Sequence, residues 1–360
     1  MKFVFFIFCN FAFVMKSRQK KKRYSKLILG FVCTIVALLA IVISTIIFGR
    51  FTSKEHAMLY IDNDDNIDSV YTKLEATAGP CKIGTFKFLC SLRGYSKKIL
   101  PGRYDVGEGK GTYTVVQNLR HGLQTPLKLT IPQTHTVDML AEKIAKKLRC
   151  SEDELKAAFH NKALQEKCGV NDTTIAALFI PDTYEIYWTI TPEQFVERMK
   201  KEYDTFWNSK RLSKAKDIGL TPIEVSTLAS IIDRETNDKE DMPIIAGLYM
   251  NRLKKGMKLE SCPTAIFAVG DFTMRRVLKQ HTMHESPYNT YLHAGLPPGP
   301  IYLPRPICID AVLNYNHNDF LFMCARADRS GKHHFSKTYE EHAKYGKIYA
   351  EYLNQRNIKK

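Results

Sequence analysis

The stretch Thr221-Pro222-Ile223-Glu224-Val225-Ser226-Thr227-Leu228-Ala229-Ser230-Ile231-Ile232-Asp233-Arg234-Glu235 reads as one helix whose register is fixed at its start. Thr221 can cap it, Pro222 suits the first helical position, where a missing N–H costs nothing, and Glu224 completes a capping box. Val225, Leu228 and Ile232 then repeat at i, i+3 and i+7, the spacing of one helical face. Glu235 follows Ile232 by three residues, so a carboxylate continues the apolar stripe. Asp233 sits ~200° around the helix from it and points elsewhere. Burial disfavours a charged carboxylate, and the negative end of the helix dipole adds to that, so Glu235 is expected to hold its proton near neutral pH and to serve as a general acid. The competing expectation is an ordinary ion pair with Arg234, Arg252 or another base at a frayed helix end.

Working back from this helix, Ser151 with Glu154 forms a second capping box, and Thr191-Pro192 opens a helix through Phe195 and Met199. Between them Phe179 to Tyr184 is expected to be extended, because Pro181 disfavours helix at Ile180. Earlier still, three segments share a pattern of short β-rich run, polar turn and helix: 57–61 before 67–74, 102–106 before 113–121, and 127–131 before 137–148. In the third, Leu127, Leu129 and Ile131 alternate as a strand does, while Val137, Leu140, Ile144 and Leu148 mark a helical face. Units of this kind pack as small α+β modules. The expected fold class is α+β, with a mainly helical C-terminal half interrupted by proline-rich loops.

Near the N-terminus, Leu27 to Phe48 carries no charge, and at about 1.5 Å per residue it reaches ~33 Å, enough to span a bilayer as one transmembrane helix. Seven cations from Lys16 to Lys26 precede it, a bias that keeps that end cytoplasmic and places the rest of the chain outside. The earlier apolar run, Phe3 to Val14, is too short to span comfortably, and translation is expected to begin at Met15. Intact mass showing Met1 present would reject that start.

The chain has 360 residues, with 53 Lys and Arg against 37 Asp and Glu. Residues 1–50 hold nine of the basic residues and no acid, which leaves a surplus of only seven on the rest. The charge therefore belongs mainly to the membrane flank, and no nucleic-acid partner is expected. With 44% hydrophobic and 25% charged residues, wholesale disorder and coiled-coil readings fall away.

Of nine cysteines, seven lie in the exported part, where pairing is chemically possible. Cys81 with Cys90 and Cys150 with Cys168 are near in sequence, yet reduced, buried thiols are the expectation. His281, His284, His293 and His333-His334 lack zinc-site spacing and read as solvated loop histidines, so neither a metal nor a cofactor is expected.

The run Ala229-Ser230-Ile231-Ile232-Asp233-Arg234-Glu235-Thr236 resembles the YceG-like family of endolytic murein transglycosylases, whose pattern here is roughly Ala-Ser-Ile-Val-Glu-Lys-Glu-Thr. Asn251-Arg252-Leu253 with Gly256 to Leu259, then Pro263-Thr264 and Ile266, match its next block. Ser286-Pro287-Tyr288-Asn289-Thr290-Tyr291 with Gly295 to Ile301 match a third. Pro181-Asp182-Thr183-Tyr184 and Gly102-Arg103-Tyr104 extend the likeness upstream, so that it covers about residues 55–345. Two positions depart from the pattern: Asp233 stands where the family has Glu, and Cys262 where it commonly has Asp.

The resemblance implies a single-pass protein of the inner (cytoplasmic) membrane with its catalytic domain in the periplasm. It implies a cytoplasmic segment (1–26), the membrane helix (27–49), a LysM-like accessory region (55–150), a lysozyme-related catalytic domain (151–345) and a basic tail (346–360). The implied partners are peptidoglycan glycan strands, the membrane and the cell-wall synthesis machinery. The family's catalytic acid/base carries over to Glu235. Tyr288, Asn289, Thr290 and Tyr291 offer hydroxyls, an amide and sugar-stacking rings for substrate, with Asn251 and Thr264 as further candidates. One acid suffices for lytic cleavage, because the substrate's own C6 hydroxyl is the nucleophile. The alternatives are a hydrolytic muramidase and a wall-binding scaffold without activity.

Overall fold

The computed structural model describes residues 2–355, with side chains from residue 25 onward. The question of Met1, and the tail beyond Gln355, lie outside the described residues. The chain divides into two compact units, Met1–Pro126 and Leu127–Lys360.

The first unit begins with helix α1 (Lys2–Phe48), followed by β1 (Met58–Ile61), α2 (Ile67–Ala78), α3 (Ile83–Arg93), β2 (Gly102–Asp105) and α4 (Thr112–His121). Within α1, Ser25–Phe48 is long and apolar enough to cross a membrane, and none of its most apolar window is covered by the rest of the protein. β1 and β2 pair antiparallel, Leu59 opposite Tyr104, in a strand–helix–helix–strand order. Asn66 caps α2 through a capping box with Ser69, and Gly94 ends α3 in the left-handed conformation that glycine adopts at low cost. Leu59, Ile61, Val70, Leu74, Phe86, Leu89, Tyr104, Val115 and Leu119 form one buried core of this unit.

The second unit runs β3 (Leu127–Thr130), α5 (Val137–Ala145), α6 (Glu152–Phe159), α7 (Lys162–Lys167), β4 (Thr183–Ile186), α8 (Pro192–Phe206), α9 (Ser209–Asp217), α10 (Pro222–Glu235), α11 (Asp241–Lys254), α12 (Cys262–Val269), α13 (Lys279–Thr282), α14 (Pro306–Leu313), β5 (Phe322–Ala325), β6 (His333–Ser336) and α15 (Tyr339–Gln355). Mixed helix and sheet are thus present in both units. The compact units divide at 126/127, whereas the boundary expected from the sequence lies at residue 150. β3 pairs antiparallel with β4, Leu127 opposite Ile186, and Leu140 and Ile144 of α5 join the core of the second unit. The third strand–helix segment therefore belongs with the helical unit and not with its two look-alikes.

The capping boxes at Ser151, Thr191 and Thr221 form as their sequences dictate. In α10, Val225, Leu228, Ile231 and Ile232 are buried, and the helix packs against α11 and α14. In α11 a Cβ at Gly247 would lie 2.0 Å from the Asn316 carbonyl oxygen, so glycine there lets the 316–318 loop close on the helix. All eight described cysteines are free.

Candidate functional site

Glu235 is the last residue of α10, and Thr236 leaves the helix in extended conformation. The Glu235 Oε1 atom accepts hydrogen bonds from the Tyr249 hydroxyl of α11 at 2.8 Å and from Ser261 Oγ at 2.6 Å. Among the described residues, Oε2 has no hydrogen-bond partner. The alternative of an ion pair at a frayed end is corrected. Arg234 lies over the Tyr302 ring, 4.8 Å from its centroid, and Arg252 donates to Glu260 Oε2 and to the carbonyls of Lys258, Leu259 and Leu321.

With no cation to pair it, burial dominates and raises the Glu235 carboxyl above its ordinary value of 4.5, while the Ser261 and Tyr249 hydrogen bonds pull the other way. Tyr249 is held well above its ordinary range, by burial first and then by the Glu235 charge, so it remains a hydrogen-bond donor. Beside Glu235 lies a cleft of about 550 Å³, lined by residues 233–238 and by Ser330 and Gly331 of the β5–β6 turn.

The other two acids of this cleft are committed. Asp233 Oδ2 accepts from Gln133 Nε2 and from the Arg305 backbone N–H, and Oδ1 accepts from Arg305 Nε, all within 2.9 Å. Asp238 Oδ1 accepts from the backbone N–H groups of Glu240 and Asp241 at the start of α11, which holds its carboxyl below the usual range.

Two residues other than glycine take positive φ among the described residues, and both adjoin the site. Glu260 (φ 52°) precedes Ser261, and Arg329 (φ 64°) precedes Ser330. Strained backbone of this kind clusters at functional sites. The β5–β6 turn is tethered to the start of α11 by Lys332 on Glu240 and by His333, whose backbone N–H and Nδ1 both meet Asp241 Oδ2. His333 is thus a buried strand residue in electrostatic contact with Glu235, not a solvated loop histidine. His334 stacks on Tyr345.

The substrate-binding candidates separate. Thr264 and Thr290 are buried, share a hydrogen bond of 2.7 Å, and grip Ser261: Thr264 donates to its carbonyl and Thr290 accepts from its N–H. They position the hydroxyl that touches Glu235. Asn289 is fully buried, and its amide is spent on the carbonyls of Thr282 and His284. Asn251 binds the carbonyls of Asn318 and Phe320. Both amides therefore hold loops, Asn251 as a residue set behind the site and Asn289 within its own turn. Tyr288 packs on Phe267, and the Tyr291 hydroxyl lies 3.2 Å from Cys262 Sγ. Cys262 keeps exposed surface. Burial first and the Glu235 charge second push that thiol up to about 11. Sequence reasoning missed both Tyr249 and Ser261 as site residues. A serine two residues before Pro263-Thr264 is the one signal that pointed there.

The family model described as "YceG-like family" matches residues 59–347. The chain is 28% identical over 321 residues to a protein of Streptococcus pneumoniae (serotype 2, strain D39) named endolytic murein transglycosylase, covering 81% of this chain and 58% of that one. It thus spans little more than half the length of that relative. A Bacillus subtilis (strain 168) protein of the same name is 28% identical over 274 residues, covering 72% of this chain and 74% of its own. The crystal structure of a yceG-like protein from Listeria monocytogenes, 26% identical, superposes with a TM-score of 0.53 over 81% of this chain and 99% of that one.

Proposed function

The chain belongs to the YceG-like family, and on that premise we propose that it is a membrane-anchored endolytic lytic transglycosylase that cuts the glycan strands of peptidoglycan. The observation that carries the reading is the unequal use of the two Glu235 oxygens: one is fixed by neutral donors, and the other is left free beside a cleft. A protonated, unpaired carboxyl group with one free oxygen is a general acid in waiting.

Glu235 gives its proton to the glycosidic oxygen between N-acetylmuramic acid and N-acetylglucosamine. The bond breaks, and the hydroxyls of Ser261 and Tyr249 stabilise the carboxylate that remains. That carboxylate takes the proton of the muramoyl C6 hydroxyl, whose oxygen closes on C1 to give a 1,6-anhydro end. Glu235 finishes protonated, and no water is consumed. The nucleophile belongs to the sugar itself, so proximity replaces an activated water.

A hydrolytic muramidase needs a second carboxylate as base or nucleophile. Asp233 and Asp238 are the other acids of the cleft, and both are already bonded elsewhere. This favours the lytic reaction. Tyr288, Tyr291 and Asn251 keep partial exposure among the candidates, and because the Asn251 amide is spent on carbonyls we assign the two tyrosine rings to the sugar. The strand–helix–helix–strand unit is read as the LysM-like accessory region, and the helical unit as the lysozyme-related catalytic domain. On this reading the Ser25–Phe48 helix is the anchor, and the cations that precede it support an orientation with both units outside the cytoplasmic membrane, facing nascent strands and the machinery that makes them.

The test is product analysis on uncrosslinked strands. Wild type should release internal fragments ending in anhydro-muramic acid, and Glu235→Gln none. Reducing ends in place of anhydro ends would make it a muramidase. Wall binding without cleavage at any pH would make it a scaffold.

A further inference from the structure

The accessory unit carries an exposed apolar and cationic face whose position is tied to the membrane helix. On α3, Ile83, Phe86, Leu89 and Cys90 turn inward. Phe88 and Leu92, one helical turn apart, are 60% and 67% exposed. From Cys81 to Leu100 the chain has five cations, Lys82, Lys87, Arg93, Lys97 and Lys98, and no acid. Among the described residues, Lys87 is the one of these five with a carboxylate in reach, Glu75 at 3.7 Å.

The start of α3 is fastened directly to the end of α1, and its end is linked to α1 through Tyr113 of α4. At its start, Lys82 Nζ donates to the Thr45 carbonyl at 3.1 Å, and the Lys82 backbone N–H donates to Phe51. At its end, Arg93 donates to the Tyr113 hydroxyl at 3.1 Å, and the Tyr113 ring meets the Phe48 ring at 5.4 Å between centroids. α3 is an 11-residue helix, ~16 Å long, and these links join its start directly and its end through Tyr113 to the segment from Thr45 to Phe51 at the end of the anchor. The 24 residues of Ser25–Phe48 reach ~36 Å against ~30 Å of hydrocarbon, which brings their last turn into the headgroup layer.

We propose that α3 is an interfacial membrane-binding helix. Phe88 and Leu92 insert at the headgroup–acyl boundary, and the surrounding lysines and Arg93 meet anionic phospholipid, the pairing of bulky apolar and basic side chains that interfacial helices use. The accessory unit is thereby held flat on the bilayer and does not swing on a bare tether. The inference rests on α1 spanning the membrane, as proposed above.

The experiment places one tryptophan reporter at a time in the full-length chain. Ile41→Trp reports the anchor and Phe88→Trp reports α3, each reconstituted in nanodiscs containing phosphatidylglycerol with or without lipid brominated along the upper part of its acyl chains. The wild-type chain, whose own tryptophans are Trp188 and Trp207, supplies the background. The expected result is that Ile41→Trp confirms insertion and that Phe88→Trp loses about half of its emission to brominated lipid, with weaker quenching when neutral lipid replaces phosphatidylglycerol. A quenched Ile41→Trp with an unquenched Phe88→Trp overturns the proposal and spares the anchor. Silence at both positions sinks the anchor and the proposal together. Blue-shifted Phe88→Trp emission that ignores bromine and follows the number of chains per disc assigns the face to a second copy and overturns it as well.

Discussion

Two acids two residues apart on α10 meet opposite fates. Asp233 is buried against a cation: Arg305 clamps it with a backbone N–H and its guanidinium, and Gln133 supplies another donor. Among the described residues Glu235 is bonded by two hydroxyls, both on one oxygen. A buried acid clamped by a cation holds structure together. A buried carboxyl group offered only neutral donors keeps its proton and has something to give. What separates structure from chemistry here is the presence of a cation, since both acids are largely withdrawn from solvent.

The comparison breaks first at Glu235. Glu235→Gln keeps the shape and the hydroxyl contacts but cannot transfer a proton, so cleavage should fall by about a thousandfold or more with the circular dichroism unchanged. The same substitution should not destabilise the protein, and the sign can be worked out. The folded-state pKa lies above 4.5, so the folded chain binds more protons than the unfolded chain between 4.5 and that raised value, and stability falls as pH rises through the window. Gln has no proton to lose. Thermal unfolding should therefore show Glu235→Gln gaining on wild type at pH 8 and matching it at pH 4; a variant less stable at pH 8 argues that the carboxylate is paired after all.

Asp233→Asn tests the other half. It leaves Arg305 buried in part and without its counter-charge, and should cost about 3 kcal/mol in chemical denaturation. Cleavage per folded molecule should change far less than for Glu235→Gln. If Asp233→Asn abolishes turnover in protein that is still fully folded, the division of labour drawn above is wrong.

How much of this pair was legible follows from how local each signal is. The register of α10 could be read because Thr221, Pro222 and Glu224 fix it within one turn, and that alone separates the directions of Asp233 and Glu235. The partners could not be read. Tyr249 and Ser261 lie 14 and 26 residues beyond Glu235 and meet it only through the packing of α11 and the strained approach at Glu260. Arg305 is 72 residues from Asp233. The same limit moved the unit boundary. The local pattern of Leu127 to Leu148 matches that of the two earlier segments, but its strand pairs with Thr183–Ile186, and no local pattern reports a partner at that distance. His333 was misjudged for the same reason, since its burial depends on Asp241.

A smaller effect sharpens the role of the neutral donors. Ser261→Ala removes the 2.6 Å hydrogen bond that stabilises the Glu235 carboxylate, and should lower the maximal rate by about tenfold, the worth of one hydrogen bond to a charged group. It should leave substrate affinity near wild type, because Ser261 meets the acid and not the cleft wall. A rise in KM with the maximal rate intact would move Ser261 from the acid to the substrate.

The smallest effect concerns Cys262, a neutral neighbour where the family pattern commonly has a charged one. The first chemical step needs Glu235 protonated, so kcat/KM should fall on the alkaline side as that proton is lost, along a limb lying above 4.5. The thiol, pushed up to about 11, carries no charge across that range and does not shape the limb. Cys262→Asp introduces a carboxylate in electrostatic contact with Glu235. Like charge disfavours the ionised form, so the Glu235 pKa should rise further and the alkaline limb should move up by about one pH unit. Cys262→Ser, which stays neutral, should leave the limb in place. Should the Asp variant move the limb down, or the Ser variant move it at all, the group that titrates is not an isolated Glu235, and the contrast with Asp233 would have to be rebuilt around a coupled pair.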